Sequence, residues 1–223
     1  MKRMKTPALW LAAGLLAAAP AMAAVKPESA QYQVKYNGLS AKGLIRIQDA
    51  GKGRWSYNLR MSSLLASIDQ ATVFDMPGGR PRPLGSSRHF SSPIGAKSVT
   101  ALFDWSRRQA SWRGDVKPTR AGPVALAPGD IDPLLLNLAL SMDAASGKPH
   151  AYRVAENGRV QPMRYVNLGT QQVSVGGKPR QAIRLFNQRG NKRTVVWILP
   201  GSSLPARIVQ TEPGGDTIDL QRL

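Results

Sequence analysis

The chain has 223 residues, with 31 Lys and Arg against 13 Asp and Glu, and its formal net charge is +18. It contains no cysteine, so neither disulfides nor thiolate metal ligands can support the fold, and stability must come from a packed core. A charge of this size constrains solubility and non-specific binding to anions rather than the fold.

The N-terminus has the pattern of a secretory signal peptide. A positive start at residues 2–5 precedes the apolar run 8–19, and Ala-Met-Ala at residues 21–23 fits the small-x-small cleavage rule. The apolar run is shorter than the about 20 residues that a membrane span needs, so an uncleaved anchor is the less favoured alternative. We predict cleavage after Ala23, export to a bacterial periplasm, and one β-rich domain over residues 24–223.

Export changes how the positive charge is interpreted. Three positive residues lie in the signal peptide, so residues 24–223 keep a net charge of +15. In a cytosolic protein this would indicate nucleic acid, whereas the anions outside the inner membrane are lipid head groups and acidic polymers. We predict a monomer with no nucleic-acid partner, which binds a lipid or another anionic amphipathic envelope component, or an envelope protein. A generally basic surface without a specific role is the alternative.

Three segments at the start of the mature chain predict an antiparallel meander. Residues 30–36 and 54–62 alternate apolar and polar side chains, which is typical of half-buried strands. Residues 39–48 continue between them, with Gly43 as a bulge or a point of close approach. The side chains predicted to face inward are Tyr32, Val34, Tyr36, Trp55, Tyr57, Leu59 and Met61.

Strand patterns continue to the end of the chain. Residues 64–74 fit a strand or a short helix, and the β-favouring Thr-Val-Phe at 72–74 favours a strand. A second meander is predicted in the C-terminal third, with glycine-containing turns between its strands. Its predicted strands are 151–155, 160–168, 171–175, 180–187, 194–199, 204–211 and 217–220.

The clearest hairpin is Thr194–Val209. Apolar residues occupy both faces of its first strand around Trp197, which predicts a position in the middle of the sheet. Pro205 lacks a backbone donor, so the return strand should lie at an edge or begin there.

One helix is predicted within this strand-rich chain. Asp132 is placed to cap it, Pro133 suits the first helical position, and Leu134–Met142 is apolar on nearly all sides. Such a helix is buried, and we expect it to plug a curved sheet or to cover its concave face. The predicted fold is therefore all-β and mainly antiparallel, a curled sheet or barrel-like meander with one buried apolar helix.

The residues that carry chemistry are sparse. His89 and His150 lie far apart without metal-ligand spacing, no Gly-x-Ser-x-Gly motif occurs, and caps and turns explain most carboxylates. We therefore predict a non-enzymatic protein without metal or cofactor. The rival interpretation is a cell-envelope hydrolase, which needs Asp104, His89 or His150 to meet a second titratable residue in a cleft.

Several short motifs follow one another along the chain: Tyr32-x-Val34-x-Tyr36-x-Gly38-Leu39, Asp104-Trp105, Asp130–Leu135, Val196–Pro200 and Leu204–Ile208. Their order resembles an exported bacterial family, domain of unknown function 3108. That resemblance spans the mature chain and implies a β-rich periplasmic protein, but it brings no catalytic residues. A looser likeness, in architecture alone, is to periplasmic lipoprotein carriers, which curl an antiparallel sheet around apolar helices.

These patterns together favour binding of an apolar or amphipathic, lipid-like ligand inside the curled sheet. The cavity is predicted to be lined by Leu135, Leu138, Met142, Trp105 and Trp197. The alternative is an envelope interaction or scaffold module that has a solid core and works through its surface.

Overall fold

Strands dominate the computed structural model, which describes residues 25–37, 39–146, 150–212, 214 and 217–223. The predicted signal peptide lies outside the described residues. In the first half the strands are β1 (Glu28–Tyr36), β2 (Leu39–Gly51), β3 (Arg54–Ser62), β4 (Ser67–Asp75), β5 (Arg82–Ser92), β6 (Gly95–Asp104), β7 (Gln109–Gly114), β8 (Val124–Ala125) and β9 (Asp130–Ile131). Helix α1 (Pro133–Asp143) follows. The remaining strands are β10 (His150–Glu156), β11 (Arg159–Val175), β12 (Lys178–Arg189), β13 (Lys192–Ile198), β14 (Pro205–Thr211) and β15 (Thr217–Arg222).

The fifteen strands of the described residues belong to one sheet, in the order β8-β7-β6-β5-β4-β3-β2-β1-β15-β14-β13-β12-β11-β10-β9. Each strand pairs antiparallel with its neighbour, except that β9 and β10 are parallel. The first and last strands pair with each other, with Tyr32 opposite Arg222, and so join the two predicted meanders. The sheet curls but does not close into a barrel. The predicted fold class, a curled, mainly antiparallel sheet with one buried helix, is confirmed.

Helix α1 lies in the concave side of the sheet and forms the centre of the main core. The Asp132 carboxylate accepts a hydrogen bond from the Leu135 backbone N–H at 2.9 Å, so the predicted N-cap is confirmed. The Asp143 carboxylate at the other end accepts two hydrogen bonds from Arg80, at 2.6 and 2.7 Å. The buried residues packed around the helix include Tyr32, Ile45, Ile47, Tyr57, Phe74, Val154, Leu185, Val196, Ile198 and Leu220.

The two ends of the sheet overlap instead of pairing. On β10, Val154 packs in the main core, whereas the next residue, Ala155, packs on the opposite face against Phe103 and Trp112 of β6 and β7. The backbones come close here, since a Cβ on Gly158 would lie 2.4 Å from the Arg120 carbonyl oxygen. The sheet is therefore rolled, so that β6 and β7 pack against the outer face of β10.

One predicted break is wrong. The sequence predicted separate strands at residues 160–168 and 171–175 with a turn at Gly169, but β11 is continuous and changes register between Asn167 and Thr170. A bulge of this kind bends a strand without ending it.

Beyond the bulge, the far half of the β11–β12 hairpin crosses the outer face of β13 to β15, where the Gln221 amide donates to the Ser174 carbonyl oxygen. We call residues 170–182 the arm.

The arm makes a third apolar cluster on the outer face of the sheet. Trp197 and Ala206 from the sheet pack there with Val173 and Ala182 from the arm. Both faces of β13 are therefore covered, and β13 lies between β12 and β14, as the sequence predicted. Strand β14 begins at Pro205, which also confirms the prediction for that proline. Among the described residues, no helix reaches the length and hydropathy of a membrane span.

Candidate ligand-binding site

An apolar cavity of about 490 Å³ opens at one end of the curled sheet. It lies on the concave face, next to the turns that join β1 to β2, β3 to β4 and β5 to β6. Its apolar lining residues are Val34, Tyr36, Leu39, Ala41, Met61, Leu65, Ala66, Ile68, Phe90 and Ile218.

Strand register explains why these side chains converge. Tyr36 pairs with both Leu39 and Ile218, while Ile68 pairs with Met61 on one side and Phe90 on the other. Directly paired residues point to the same face of a sheet, so these pairs form one apolar row across six strands.

Gly43 makes room within this row. A Cβ at this position would lie 3.1 Å from Val34 Cγ2 and 3.6 Å from Met61 Cγ, so a side chain here would touch Met61 and would require Val34 to shift. The prediction that Gly43 is a point of close approach is therefore confirmed.

The cavity stays open because α1 is too short to fill the whole concave face. Its eleven residues span about 16 Å, whereas a nine-residue strand such as β3 spans about 30 Å. The helix starts beside Thr72, at mid-strand, and its other end reaches Arg80 in the β4–β5 connection. Within the described part of the chain, therefore, no helix covers the half of the concave face beyond Thr72.

The concave face becomes polar between the cavity and the helix. Along β4 the inward side chains after Ile68 are Gln70 and Thr72, and along β5 Phe90 is followed by Arg88. These polar residues line a small adjoining cavity of about 60 Å³, where the Arg88 guanidinium lies 3.8 Å from the Glu156 carboxylate. The site as a whole is amphipathic, with apolar walls at the opening and hydrogen-bonding groups behind them.

Asp132 lies on the inner wall of this polar section. Burial raises the pKa of its carboxyl group to about 6, and the hydrogen bonds from Thr72 Oγ1 and the Leu135 N–H oppose that rise. The folded state therefore binds a proton more tightly here than the unfolded chain does. Ionised Asp132 thus destabilises the fold progressively as the pH rises from about 4 to 6.

Replacing Asp132 with asparagine should remove this pH dependence. Asn keeps an oxygen for the Leu135 N–H but carries no charge. We expect the stability of Asp132→Asn relative to the natural protein to increase between about pH 4 and 6 and to level off above that range. Urea unfolding across this range measures it, and a difference that does not change with pH would contradict the interpretation.

The five side chains predicted to line a cavity are not brought together. Leu135 and Leu138 are fully buried in the main core. Met142 packs at the edge of that core and lines a separate groove at the far end of the sheet. Trp105 donates from Nε1 to the Pro83 carbonyl oxygen at 2.6 Å, and Trp197 lies beneath the arm on the outer face.

The groove at Met142 is a weaker candidate than the apolar cavity. Its volume is about 570 Å³, and the polar groups on its Glu28 side already bind one another, whereas the buried Ser141 Oγ on its wall has no hydrogen-bond partner among the described residues. The Glu28 carboxylate accepts hydrogen bonds from Ser202 Oγ at 2.6 Å, from the Ser203 N–H at 2.7 Å and from Arg222 at 3.0 Å. A ligand there would have to displace these contacts.

The residues that the hydrolase interpretation needs lie apart. His89 is exposed on the outer face, with Nδ1 2.7 Å from Ser98 Oγ, and the Asp69 carboxylate opposite it is bound by Arg60 at 2.6 Å. His150 is buried at the start of β10, and Asp104 accepts hydrogen bonds within its own turn after β6. No group of three or more potential metal ligands occurs in the described part of the chain.

The fold and cavity define a class of protein: an open, barrel-like β-sheet with one core helix and an apolar cavity at one end. The chain belongs to the family described as "Protein of unknown function (DUF3108)", whose model matches residues 31–221. The resemblance found in the order of the short motifs is therefore confirmed.

A similar fold occurs in a solved structure, described as a "Beta-barrel-like Protein of Domain of Unknown Function DUF1849 from Brucella abortus". The TM-score is 0.57 at 12% sequence identity, over 88% of this chain and 95% of that chain. At this identity the likeness shows the fold alone. No curated protein matches the chain.

Proposed function

We propose that this protein is a non-enzymatic binding protein of the bacterial cell envelope, which holds an apolar or amphipathic, lipid-like molecule in its open cavity. The observation that carries the proposal is the apolar cavity of about 490 Å³ between the β1–β2, β3–β4 and β5–β6 turns. Its volume falls in the range of small-molecule sites, about 300–1,000 Å³. Its ten apolar lining residues would exclude water from a hydrocarbon chain.

Polar and basic groups beside the cavity suit the head group of such a ligand. Lys97 is exposed and pairs directly with Phe90, and Arg88 comes next on the inward face of β5. An anionic head group could bind these cations while its chain packs against Met61, Ile68 and Phe90. The net charge of +15 on residues 24–223 would favour an anionic ligand over a cationic one.

The cellular location in this proposal rests on the N-terminal sequence. The positive start, the short apolar run and the Ala-Met-Ala site support export to the periplasm with cleavage after Ala23. We propose a monomer without nucleic-acid partners.

Blocking the cavity should abolish ligand binding. Ala41→Trp would place an indole ring among Val34, Met61 and Ile68. N-phenyl-1-naphthylamine, a dye that fluoresces when it leaves water, serves as the probe, with palmitate as competitor. We expect the natural protein to bind the dye and palmitate to displace it, and Ala41→Trp to bind roughly tenfold more weakly or worse.

Ala71→Trp provides the matched control. Ala71 faces the opposite side of the sheet, in a separate groove lined by Leu44, Asn58 and His89. The same ring added there should leave dye binding unchanged, provided that both variants melt as cooperatively as the natural protein. Equal loss in both variants, or no binding by the natural protein, would contradict the proposal and favour an interaction module with a solid core. Native mass spectrometry of protein purified from its own cells should show a retained ligand that Ala41→Trp lacks.

A further inference from the structure

Exposed apolar residues cluster at the tips of the hairpins that surround the cavity. Leu64 and Ile94 are almost completely exposed, Leu65 and Leu39 are 58% and 57% exposed, and Tyr36 is 45% exposed. They come from three separate hairpins, β1–β2, β3–β4 and β5–β6, which we call the rim hairpins.

The three tips lie side by side because the sheet is an antiparallel meander here. Successive strands alternate in direction, so the turns after β1, β3 and β5 are all at the same end. Neighbouring tips are separated by two strand spacings, which is about 10 Å. Leu39 and Leu65 are both exposed at a tip and part of the cavity lining, so the tips form the rim of the cavity itself.

Positive charge accompanies the apolar tips. The strand ends and turns of the rim hairpins, residues 31–42, 57–72 and 86–99, contain five Lys and Arg and one acidic residue. That acidic residue, Asp69, is bound by Arg60 at 2.6 Å. Lys35, Lys42 and Lys97 are exposed, with long side chains that can reach past the strand ends.

We propose that the rim hairpins dock on an anionic lipid bilayer, with Leu64, Ile94 and their apolar neighbours entering the interface and the lysines binding lipid phosphates. This inference rests on the proposed function, because docking would place the cavity opening against the acyl layer. A lipid-like ligand could then pass between bilayer and cavity without crossing water.

A membrane fits this surface better than a folded protein does. The exposed apolar side chains are divided among the ends of three separate hairpins, with the serines Ser40, Ser62, Ser63 and Ser92 beside them, rather than gathered in one continuous apolar patch. A bilayer surface can deform around single apolar side chains, and its anionic lipids can bind the exposed cations beside them.

Co-sedimentation with lipid vesicles tests the proposal. The purified protein is mixed with vesicles of equal parts phosphatidylcholine and phosphatidylglycerol, or with phosphatidylcholine alone. We expect binding to the anionic vesicles that weakens with added salt, and little binding to the neutral ones. The double variant Leu64→Ser/Ile94→Ser should bind the anionic vesicles roughly tenfold more weakly.

The matched control removes two exposed apolar side chains elsewhere. Leu102 and Val166 are also more than half exposed but lie away from the tips, and Leu102→Ser/Val166→Ser should bind vesicles like the natural protein. Equal loss in both double variants, or equal binding to neutral and anionic vesicles, would overturn the docking proposal. So would a natural protein that fails to bind vesicles.

The same variants separate docking from ligand binding. Leu64→Ser/Ile94→Ser should still bind the dye in solution, whereas Ala41→Trp should lose the dye but keep its vesicle binding. If Ala41→Trp and Ala71→Trp bind the dye equally while the vesicle results hold, the cavity proposal fails and the docking surface stands. If Ala41→Trp alone loses the dye but Leu64→Ser/Ile94→Ser binds vesicles like the natural protein, the docking proposal fails and the cavity proposal stands.

Discussion

Replacing Trp197 with alanine should lower the free energy of unfolding by about 3–5 kcal/mol, the cost of large aromatic truncations in cores. Trp197 is only 8% exposed although it lies on the outer face of the sheet, because the arm covers it. Its Nε1 donates to Gln171 Oε1 at 2.9 Å, and the Arg207 guanidinium lies 5.3 Å from its ring centroid. The substitution would remove the largest side chain of the apolar cluster between the arm and the sheet.

Trp197→Phe separates packing from hydrogen bonding at this position. Phenylalanine keeps an aromatic ring beneath the arm but cannot donate to Gln171, so we expect a smaller loss, about 1–2 kcal/mol. Urea unfolding monitored by circular dichroism measures both variants. If the alanine and phenylalanine variants lose equal stability, or if alanine costs less than about 1 kcal/mol, the arm does not depend on this side chain.

Leu138→Ala should cost about 2–5 kcal/mol, the range for leucine truncation in a well-packed core. Leu138 is fully buried at the middle of α1, which packs against β3, β4 and β10. The control is Leu64→Ala, the same chemical change at a fully exposed turn, which should stay within about 0.5 kcal/mol of the natural protein.

The Leu138 variant also decides between two interpretations of the helix. The sequence offered Leu138 as a cavity-lining residue on a helix whose pattern is more typical of core filling, and the structure places it in the solid part of the core. A large loss of stability with unchanged dye binding would support the structural placement. A small loss of stability combined with loss of dye binding would instead support a ligand site against the helix, and would contradict the cavity at the rim.

Local patterns were sufficient to predict most elements of the fold. The alternation in residues 54–62 and the Asp132-Pro133 helix start each depend on neighbouring residues, and β3 and α1 follow them closely. Pro205 acts through its own missing N–H, so its place at the start of β14 was predictable too. Gly169 shows the limit, because a glycine with positive φ suits a bulge as well as a turn.

The candidate site was harder to predict because the cavity exists only where helix α1 does not cover the concave face of the sheet. The alternation of Val34, Tyr36 and Met61 indicated the inward face, and all three line the cavity. The sequence did not indicate that α1 fills only the far half of that face, since the position of a helix along a sheet depends on tertiary contacts such as Arg80 with Asp143. Three of the five predicted cavity-lining residues lie on the apolar helix, whereas in the structure this helix packs in the core.

The pairing of β1 with β15 in the middle of the sheet affects how the chain must fold during synthesis. The strands β1 to β7 can pair in order as they emerge, but β1 then presents a row of unpaired backbone groups until the final strand arrives. Such an edge is a template for pairing with another chain, and contacts between distant residues form slowly. Truncation of the last few residues should therefore cause more aggregation than the loss of their side chains alone would. It leaves β1 unpaired in the middle of the sheet rather than at one end.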